Sequence, residues 1–328
     1  MTTSVALCTY NGEKYIEAQL RSILNQTLSV GEIVICDDRS VDNTIEIVKK
    51  ISSETNIPIH IYINEKNLGC IKNFEKAISL CCGEIVFLSD QDDIWLSNKV
   101  DYITKYFEEN PNKNVVFGNA ILIDENDKTI MKPHAFDHCK NKDSFFYLWD
   151  SIGFSKLSQR QFDMGFVFEL WARGNRATGA TMAVKKTFAA PAFANRVDEA
   201  IYHDSQLCIE SMISNTLGYY TTPLTLYRIH SSQQIGCTLK LPIPKGWDDV
   251  RYATVDEVYY LASVKDKNKL NRISFISERY KIQHSLLNFS LLRMIDEYKK
   301  NYENKWLYLF SFDFYKSLRY SLKKLIKS

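Results

Sequence analysis

The sequence predicts an α/β fold, a mostly parallel sheet flanked by helices, with a helical C-terminal extension. Three features say so. Short apolar runs alternate with segments of helical spacing as far as Trp95, in the order strand, helix, strand, helix, strand, helix, strand. That order is the mark of a parallel sheet with helices on both faces. Two of the runs end in acids, Asp37-Asp38 and Asp90 to Asp93, at the edge where open α/β sheets bind ligands. From Trp247 onward the pattern is helical to the end. The expected division is a catalytic, ligand-binding domain over 1–238 and a helical region over 239–328.

The elements follow in order. Ser4 to Cys8 reads as a buried strand, turned by Thr9-Tyr10-Asn11-Gly12 into a helix over 13–26. Ile33 to Cys36 is the second strand, and Asp42 or Asn43 is placed to cap the helix that follows. Ile57 to Ile63, a helix over 71–81 and a strand over 84–88 complete the alternation. A helix over 97–109 stops near Pro111, and Val115 to Ile123 reads as one strand. Residues 125–175 are aromatic-rich without clean periodicity, with a helix near 143–150. Arg176 to Val184 reads as a loop entering a strand, Asp204 to Ile213 as a helix, and 215–229 as two short strands.

Composition narrows the class. Of 328 residues, 45% are hydrophobic and 24% charged, which is ordinary globular usage. A net charge of +2 argues against a generally basic nucleic-acid binder. None of the eight cysteines falls in a CxxC pair, so a zinc site of that kind is not expected, and thiols within apolar runs suit a reducing cytosol. Met1-Thr2-Thr3-Ser4 leads straight into a strand and no run of 18 apolar residues occurs, so neither a secretory leader nor a membrane span is expected.

The chemistry centres on Ser89-Asp90-Gln91-Asp92-Asp93-Ile94-Trp95. Carboxylates this close repel one another, and a cation offsets the repulsion. Hard oxygen ligands suit Mg²⁺ or Mn²⁺, the usual partners of a diphosphate. Taken alone, such a stretch reads as a solvated acidic turn; the second acidic cluster on the same sheet edge favours a ligand.

Thr9-Tyr10-Asn11-Gly12, Gln26-Thr27, Asp37-Asp38-Arg39-Ser40-Val41-Asp42-Asn43-Thr44, Asn67-Leu68-Gly69 and the Asp-x-Asp stretch occur in this order. Together they resemble family 2 glycosyltransferases with a GT-A fold. The resemblance runs through about residues 4–125 and more weakly to about 230. Asp90 to Trp95 is similar to the form found in bacterial rhamnosyltransferases of surface-polysaccharide synthesis.

The resemblance implies roles. Asp38 would meet the base of a nucleoside-diphosphate sugar, and Thr9 would line the nucleotide pocket. Asp92 would be the main metal ligand, with Asp90 near ribose or metal. His230 would reach the metal or diphosphate from a late loop, and Arg228 would meet phosphate as a bidentate donor. Lys72 is a phosphate candidate, set against a plain helix-surface lysine. Thr178-Gly179 would face donor sugar and acceptor, and Trp95, Trp149 and Trp171 could stack on sugars or fill the core. The base of an inverting transfer would be Asp204, at a helix start, with Asp198 and Glu199 as competitors and N-capping as its structural alternative. His203 stands where the family often has Glu.

The tail over 305–328 carries Lys305, Lys316, Arg319, Lys323, Lys324 and Lys327 against one acid, Asp313, on an apolar stripe. Such a helix suits an anionic membrane surface, or packing on the main domain or on a second subunit in a homodimer. The overall expectation is a metal-dependent inverting glycosyltransferase, cytoplasmic or peripheral at the inner face of the plasma membrane. It would use dTDP-rhamnose, or alternatively a UDP-hexose, and act on a lipid-linked glycan precursor. A nucleotidyltransferase would want more glycines after the first strand. A non-catalytic sugar- or nucleotide-binding module would not need the full acid set.

Overall fold

The structure, a computed structural model, describes residues 1–131, 145–151, 177–195, 202–214, 216–231 and 233. The chain begins with four parallel strands: β1 (Thr3–Thr9), β2 (Glu32–Asp37), β3 (Ile59–Ile63) and β4 (Ile85–Ser89). The boundary expected at residue 238, the helical region beyond it, Trp171, Asp198 and Glu199 lie outside the described residues.

Helices α1 (Ile16–Leu24), α2 (Thr44–Ser52) and α3 (Gly69–Leu80) connect the four strands. They are followed by β5 (Ile94–Trp95), α4 (Lys99–Glu109), β6 (Val115–Gly118), β7 (Ile121–Ile123) and the short α5 (Leu148–Ser151). A 3-10 turn at Gly179–Thr181 leads into β8 (Ala183–Lys185), α6 (Lys186–Ala194), α7 (His203–Ile213), β9 (Leu217–Tyr220) and β10 (Thr225–Arg228). The main sheet has seven strands in the order β3-β2-β1-β4-β8-β6-β9, and a second sheet has the order β5-β10-β7.

β1 is buried along its whole length, because it pairs in parallel on both sides. Its register sets Thr9 opposite Asp37 and Leu7 opposite Ser89. The ends of β2, β1 and β4 therefore form one edge. β8 runs antiparallel to β4, with Ala183 opposite Phe87, and the Leu88 amide donates to the Met182 carbonyl. The turn before β8 thus joins the same edge. Beneath it, Leu7, Ile35 and Phe87 pack with Ile16 and Leu20 of α1 and Ile103 and Phe107 of α4 in one apolar core.

Three expectations need correction. Val115 to Ile123 is not one strand: it splits between the two sheets at Asn119-Ala120. The Asn119 side-chain oxygen accepts from the Ala120 and Trp149 amides, replacing ladder bonds with local ones. The strands expected over 215–229 form, but β9 and β10 also lie in different sheets. The helix near 143–150 shrinks to Leu148–Ser151, with Phe145 and Tyr147 in single bridges to Met131 and Ile121. α6 was not foreseen, because Pro191 within it interrupts the sequence pattern.

Gly118 closes β6 where the Tyr220 ring crosses it. A Cβ there would lie 1.8 Å from the ring, and that ring is pinned by the Tyr220 hydroxyl donating to the Thr181 carbonyl at 2.7 Å. Gly118→Ala should therefore lower unfolding free energy by about 1–3 kcal/mol, the usual range for overpacking. A urea midpoint equal to the wild type's would mean that the ring can step aside.

Candidate active site

The edge begins with carboxylates that serve the fold. Asp37 is fully buried; its carboxylate accepts from the Thr9 hydroxyl at 2.7 Å, the Ser40 hydroxyl at 2.6 Å and the Ser40 amide at 2.8 Å. Asp38 is also buried. Its Oδ1 accepts from Asn64 Nδ2 at 2.8 Å and the Leu68 amide at 2.7 Å, and its Oδ2 from the Gly69 amide at 2.8 Å. Those amides open α3, and a negative charge at a helix start is favourable. Thr9 lies at this edge and donates its hydroxyl to Asp37. Asn11 and Arg39, at the tips of β1 and β2, are left-handed, with φ of 48° and 70°. Such residues cost on the order of 1 kcal/mol each. At Asn11 the cost is offset by bonds from its amide to Ser40 Oγ and from the Val41 amide to its Oδ1.

The acidic loop after β4 is held from two sides. Gln91 clamps the Tyr10 backbone, accepting from its amide at 2.8 Å and donating to its carbonyl at 3.0 Å. The clamp crosses Gly12 so closely that a Cβ there would lie 2.2 Å from Gln91 Oε1. From the other side, the amide of Arg228 donates to Asp93 Oδ1 at 2.9 Å, and Arg228 Nε donates to the Asp92 carbonyl at 2.6 Å. Nη1 of the same guanidinium reaches the Asp124 carbonyl at 3.1 Å and Asp127 Oδ1 at 2.5 Å, and its Cζ lies 4.5 Å from the centre of the Tyr15 ring. Arg228 is fully buried. It is a staple under the loop rather than the phosphate donor expected from sequence, because its guanidinium is enclosed by the Asp92 and Asp124 carbonyls and the Tyr15 ring.

His230, two residues past β10, brings Nε2 to 2.9 Å from Asp92 Oδ2, with its ring against Tyr15. Asp90 is half-buried, and its carboxyl is pushed up to about 7 by desolvation first, then by the charges of Asp92 and Asp204. Asp93 is raised by burial and then by Asp92 and Asp90. Asp204 therefore lies within electrostatic reach of Asp90. It stands in the first turn of α7, where Oδ2 accepts from the Gly179 amide at 3.2 Å and Oδ1 from the Ser205 amide at 2.6 Å. A Cβ on Gly179 would sit 3.0 Å from His203 Nε2, so glycine lets the turn lie close over α7. His203 stacks on Phe74 of α3 at 4.0 Å. The fold thus gathers Asp90, Asp92, His230, Asp204 and Gly179 at one edge.

Other candidates fall elsewhere. Lys72 is on the surface of α3, 3.4 Å from Glu75. Trp95 is a core residue, 3% exposed, packed against Phe87. Trp149 is also buried, its indole N–H donating to the Gly118 carbonyl. Thr178 holds the turn through its carbonyl, which accepts from the Thr181 amide and hydroxyl. One residue was missed. Lys99 is fully buried, with Nζ 2.9 Å from the Ala180 carbonyl, 3.0 Å from Thr225 Oγ1 and 4.0 Å from the centre of the Trp95 ring. Burial pulls it down to about 7 against the charges of Asp93 and Asp90. The signal was present in the sequence: Lys99 shares a helix face with Ile103 and Phe107.

The donor set suits a divalent cation held jointly by protein and substrate. Among the described residues no three His, Cys, Asp or Glu side chains converge as a metal site. The Asp92–His230 pair does converge, and Mg²⁺-type sites usually take one or two carboxylates and complete their shell with phosphate oxygens.

Fold and edge together define a GT-A protein. S. aureus TarS in complex with UDP aligns with a TM-score of 0.56 and 16% identity, covering 87% of this chain and 72% of that one. The mannosyltransferase PcManGT from Pyrobaculum calidifontis, in complex with GDP-Man and Mn²⁺, aligns at 0.50 and 15%, covering 84% and 68%. At these identities the likeness is one of fold. The pattern of Glycosyl transferase family 2 matches residues 4–170, and the chain belongs to that family. WfgD of Escherichia coli, a UDP-Glc:alpha-D-GlcNAc-diphosphoundecaprenol beta-1,3-glucosyltransferase, is 27% identical over 179 residues, 45% of this chain and 68% of that one. The dTDP-rhamnosyl transferase RfbG of Shigella flexneri is 30% identical over 154 residues, 45% of this chain and 50% of that one. The chain thus spans between half and about two thirds of these relatives' length.

The staple can be tested without substrate. Arg228→Met should destabilise by on the order of 3 kcal/mol, because it strands the buried carbonyls of Asp92 and Asp124. Asp127→Asn should cost under about 1 kcal/mol, since Asp127 is 61% exposed and can turn to water. Equal denaturant midpoints for the two variants would show that the guanidinium is dispensable.

Proposed function

We propose that this chain transfers a sugar from a nucleoside-diphosphate donor to a lipid-linked glycan precursor, with inversion at the anomeric carbon. The observation that carries the reading is the convergence of Asp204 with the Asp92–His230 pair at one sheet edge, from elements more than a hundred residues apart. In this reading Asp92 and His230 hold Mg²⁺ or Mn²⁺ with the donor diphosphate. A cation there supplies Lewis-acid stabilisation of the departing charge. Asp38 Oδ2, which takes one internal bond, keeps acceptor capacity for an imide N–H of the base. Asp204 takes the proton of the acceptor hydroxyl, and the Gly179 amide orients its carboxylate.

The proposed donor is dTDP-rhamnose, supported by the likeness of Asp90 to Trp95 to rhamnosyltransferase sequences and by the relative RfbG. A UDP-hexose is the second reading, supported by WfgD, whose diphosphoundecaprenol substrate also supports a lipid-linked acceptor. Among the described residues no helix is long and apolar enough to cross a membrane.

Two measurements test the reading. Asp92→Ala should abolish transfer and the Mn²⁺-dependent part of donor binding, and EDTA should do the same to the wild type; full activity in EDTA would sink the metal assignment. Asp204→Asn should preserve the fold and donor binding but lower turnover by roughly 10²–10⁴-fold, the usual range for a lost general base. Asn is nearly isosteric, so near-normal turnover would move the base to Asp198 or Glu199.

A further inference from the structure

Lys99 occupies a place where the fold alone would favour an apolar side chain. The neighbours on its helix face, Ile103 and Phe107, are fully buried, as is Lys99 itself. An ammonium there carries a desolvation penalty that a methionine would not. Both of its hydrogen bonds go to elements that deliver site residues. The Ala180 carbonyl belongs to the turn whose first residue, Gly179, donates to Asp204. Thr225 opens β10, the strand that carries Arg228 and leads to His230. The Trp95 ring closes one side of the ammonium, and the charges of Asp93 and Asp90 favour its protonated form. The turn also lies against α7 with little slack, a Cβ on Gly179 meeting His203 at 3.0 Å. Lys99 makes the shorter of the two bonds to the Ala180 carbonyl, the Thr225 hydroxyl lying at 3.4 Å, while the Tyr220 hydroxyl holds Thr181.

We propose that Lys99 is a positioning residue: by holding the Ala180 carbonyl, it fixes the Gly179–Thr181 turn so that the Gly179 amide stays on the Asp204 carboxylate. Lys99 touches neither donor nor acceptor. It acts through the turn on the group assigned as the base, and to that extent the inference rests on the proposed function.

The test reads the Gly179 amide directly. Thr-Gly occurs once in the sequence, so protein labelled with ¹³C-carbonyl threonine and ¹⁵N-glycine gives one assigned Thr178–Gly179 signal. Asp204→Asn should shift that signal, confirming the bond. Lys99→Met should accelerate Gly179 hydrogen exchange by roughly tenfold, about what loss of one hydrogen bond allows. Exchange at Gly31, whose amide donates to the Thr3 carbonyl in the main sheet, should not change. In Mn²⁺-dependent release of nucleoside diphosphate from dTDP-rhamnose or UDP-glucose, Lys99→Met should lower kcat about tenfold with KM unchanged, and should add no further loss in an Asp204→Asn background. Wild-type exchange at Gly179 in folded Lys99→Met protein overturns the proposal, as does an equal kcat loss with and without Asp204. Should Lys99→Met not fold, Lys99→Gln, neutral and one bond shorter, so that it cannot keep both bonds at the lysine's distances, is read by the same exchange criterion. Normal turnover of Asp204→Asn would remove the base assignment, while Gly179 exchange would still decide the role of Lys99.

Discussion

The parallel register of β1 with β2 and β4 forces several carboxylates to one sheet edge, and their mutual repulsion governs how that edge is built. Each is answered by a different device. Asp37 is answered by two hydroxyls and an amide, and Asp38 by the opening amides of α3 and Asn64. Asp93 takes the Arg228 amide, Asp204 the Gly179 amide, and Asp92 the His230 ring. Asp90 and Asp93 are both pushed up by burial and by the neighbouring acids, Asp90 to about 7. Asp90, Asp92 and Asp204 are partly buried, whereas Asp37, Asp38 and Asp93 are buried. Asp37 is spent in the fold, and Asp38 keeps only one oxygen with a single internal bond, which is why an acid count alone overstates the number of groups available for chemistry.

The two buried cations are part of the same balance. Arg228 and Lys99 are both fully buried; Lys99 is held by a carbonyl and a hydroxyl, and Arg228 by two carbonyls and the Asp127 carboxylate. The charges of Lys99, Asp90 and Asp93 act on one another without a direct ion pair. Aromatic faces complete both seats, Tyr15 under Arg228 and Trp95 under Lys99. Such faces attract cations through the ring quadrupole. This gives Trp95 and Tyr15 a reason to be aromatic that involves no sugar.

The sequence disclosed most where a periodic pattern and a local chemical signal coincide. β1 to β4 and their helices were legible because each strand is a short apolar run ending in turn or acid residues; pairing lengthened β1 and β2 by a residue at each end, while β3 starts at Ile59 and α1 at Ile16, later than expected. The edge was legible because that alternation implies parallel strands, whose carboxyl ends share one edge. The break at Asn119 was not, since it depends on a side-chain oxygen reaching Trp149, thirty residues on. Lys99 and Arg228 were misjudged for a related reason. A basic residue reads as a surface group or a phosphate donor unless its neighbours are weighed, and the groups that enclose Arg228, the Asp92 and Asp124 carbonyls and the Tyr15 ring, come from distant parts of the chain. Trp95 followed the bland expectation for an aromatic and joined the core.

One reversed strand decides whether the edge can have a second side. β1 to β4 alone would present their acidic edge with nothing opposite it. Because β8 runs antiparallel to β4, it is entered from the carboxyl edge, and the Gly179–Thr181 turn must sit there. The Leu88 amide bonds Met182 at the point where β4 gives way to the acidic loop, so turn and loop are anchored to adjacent residues. Their separation is then fixed by the spacing of two neighbouring strands, about 5 Å, rather than by any flexible segment. An antiparallel strand inserted in a parallel sheet is thus what lets a group on α7 meet groups on the loop after β4. Repositioning that turn by even a fraction of the strand spacing would move the amide that Asp204 uses, which is why its anchoring matters more than its short length suggests.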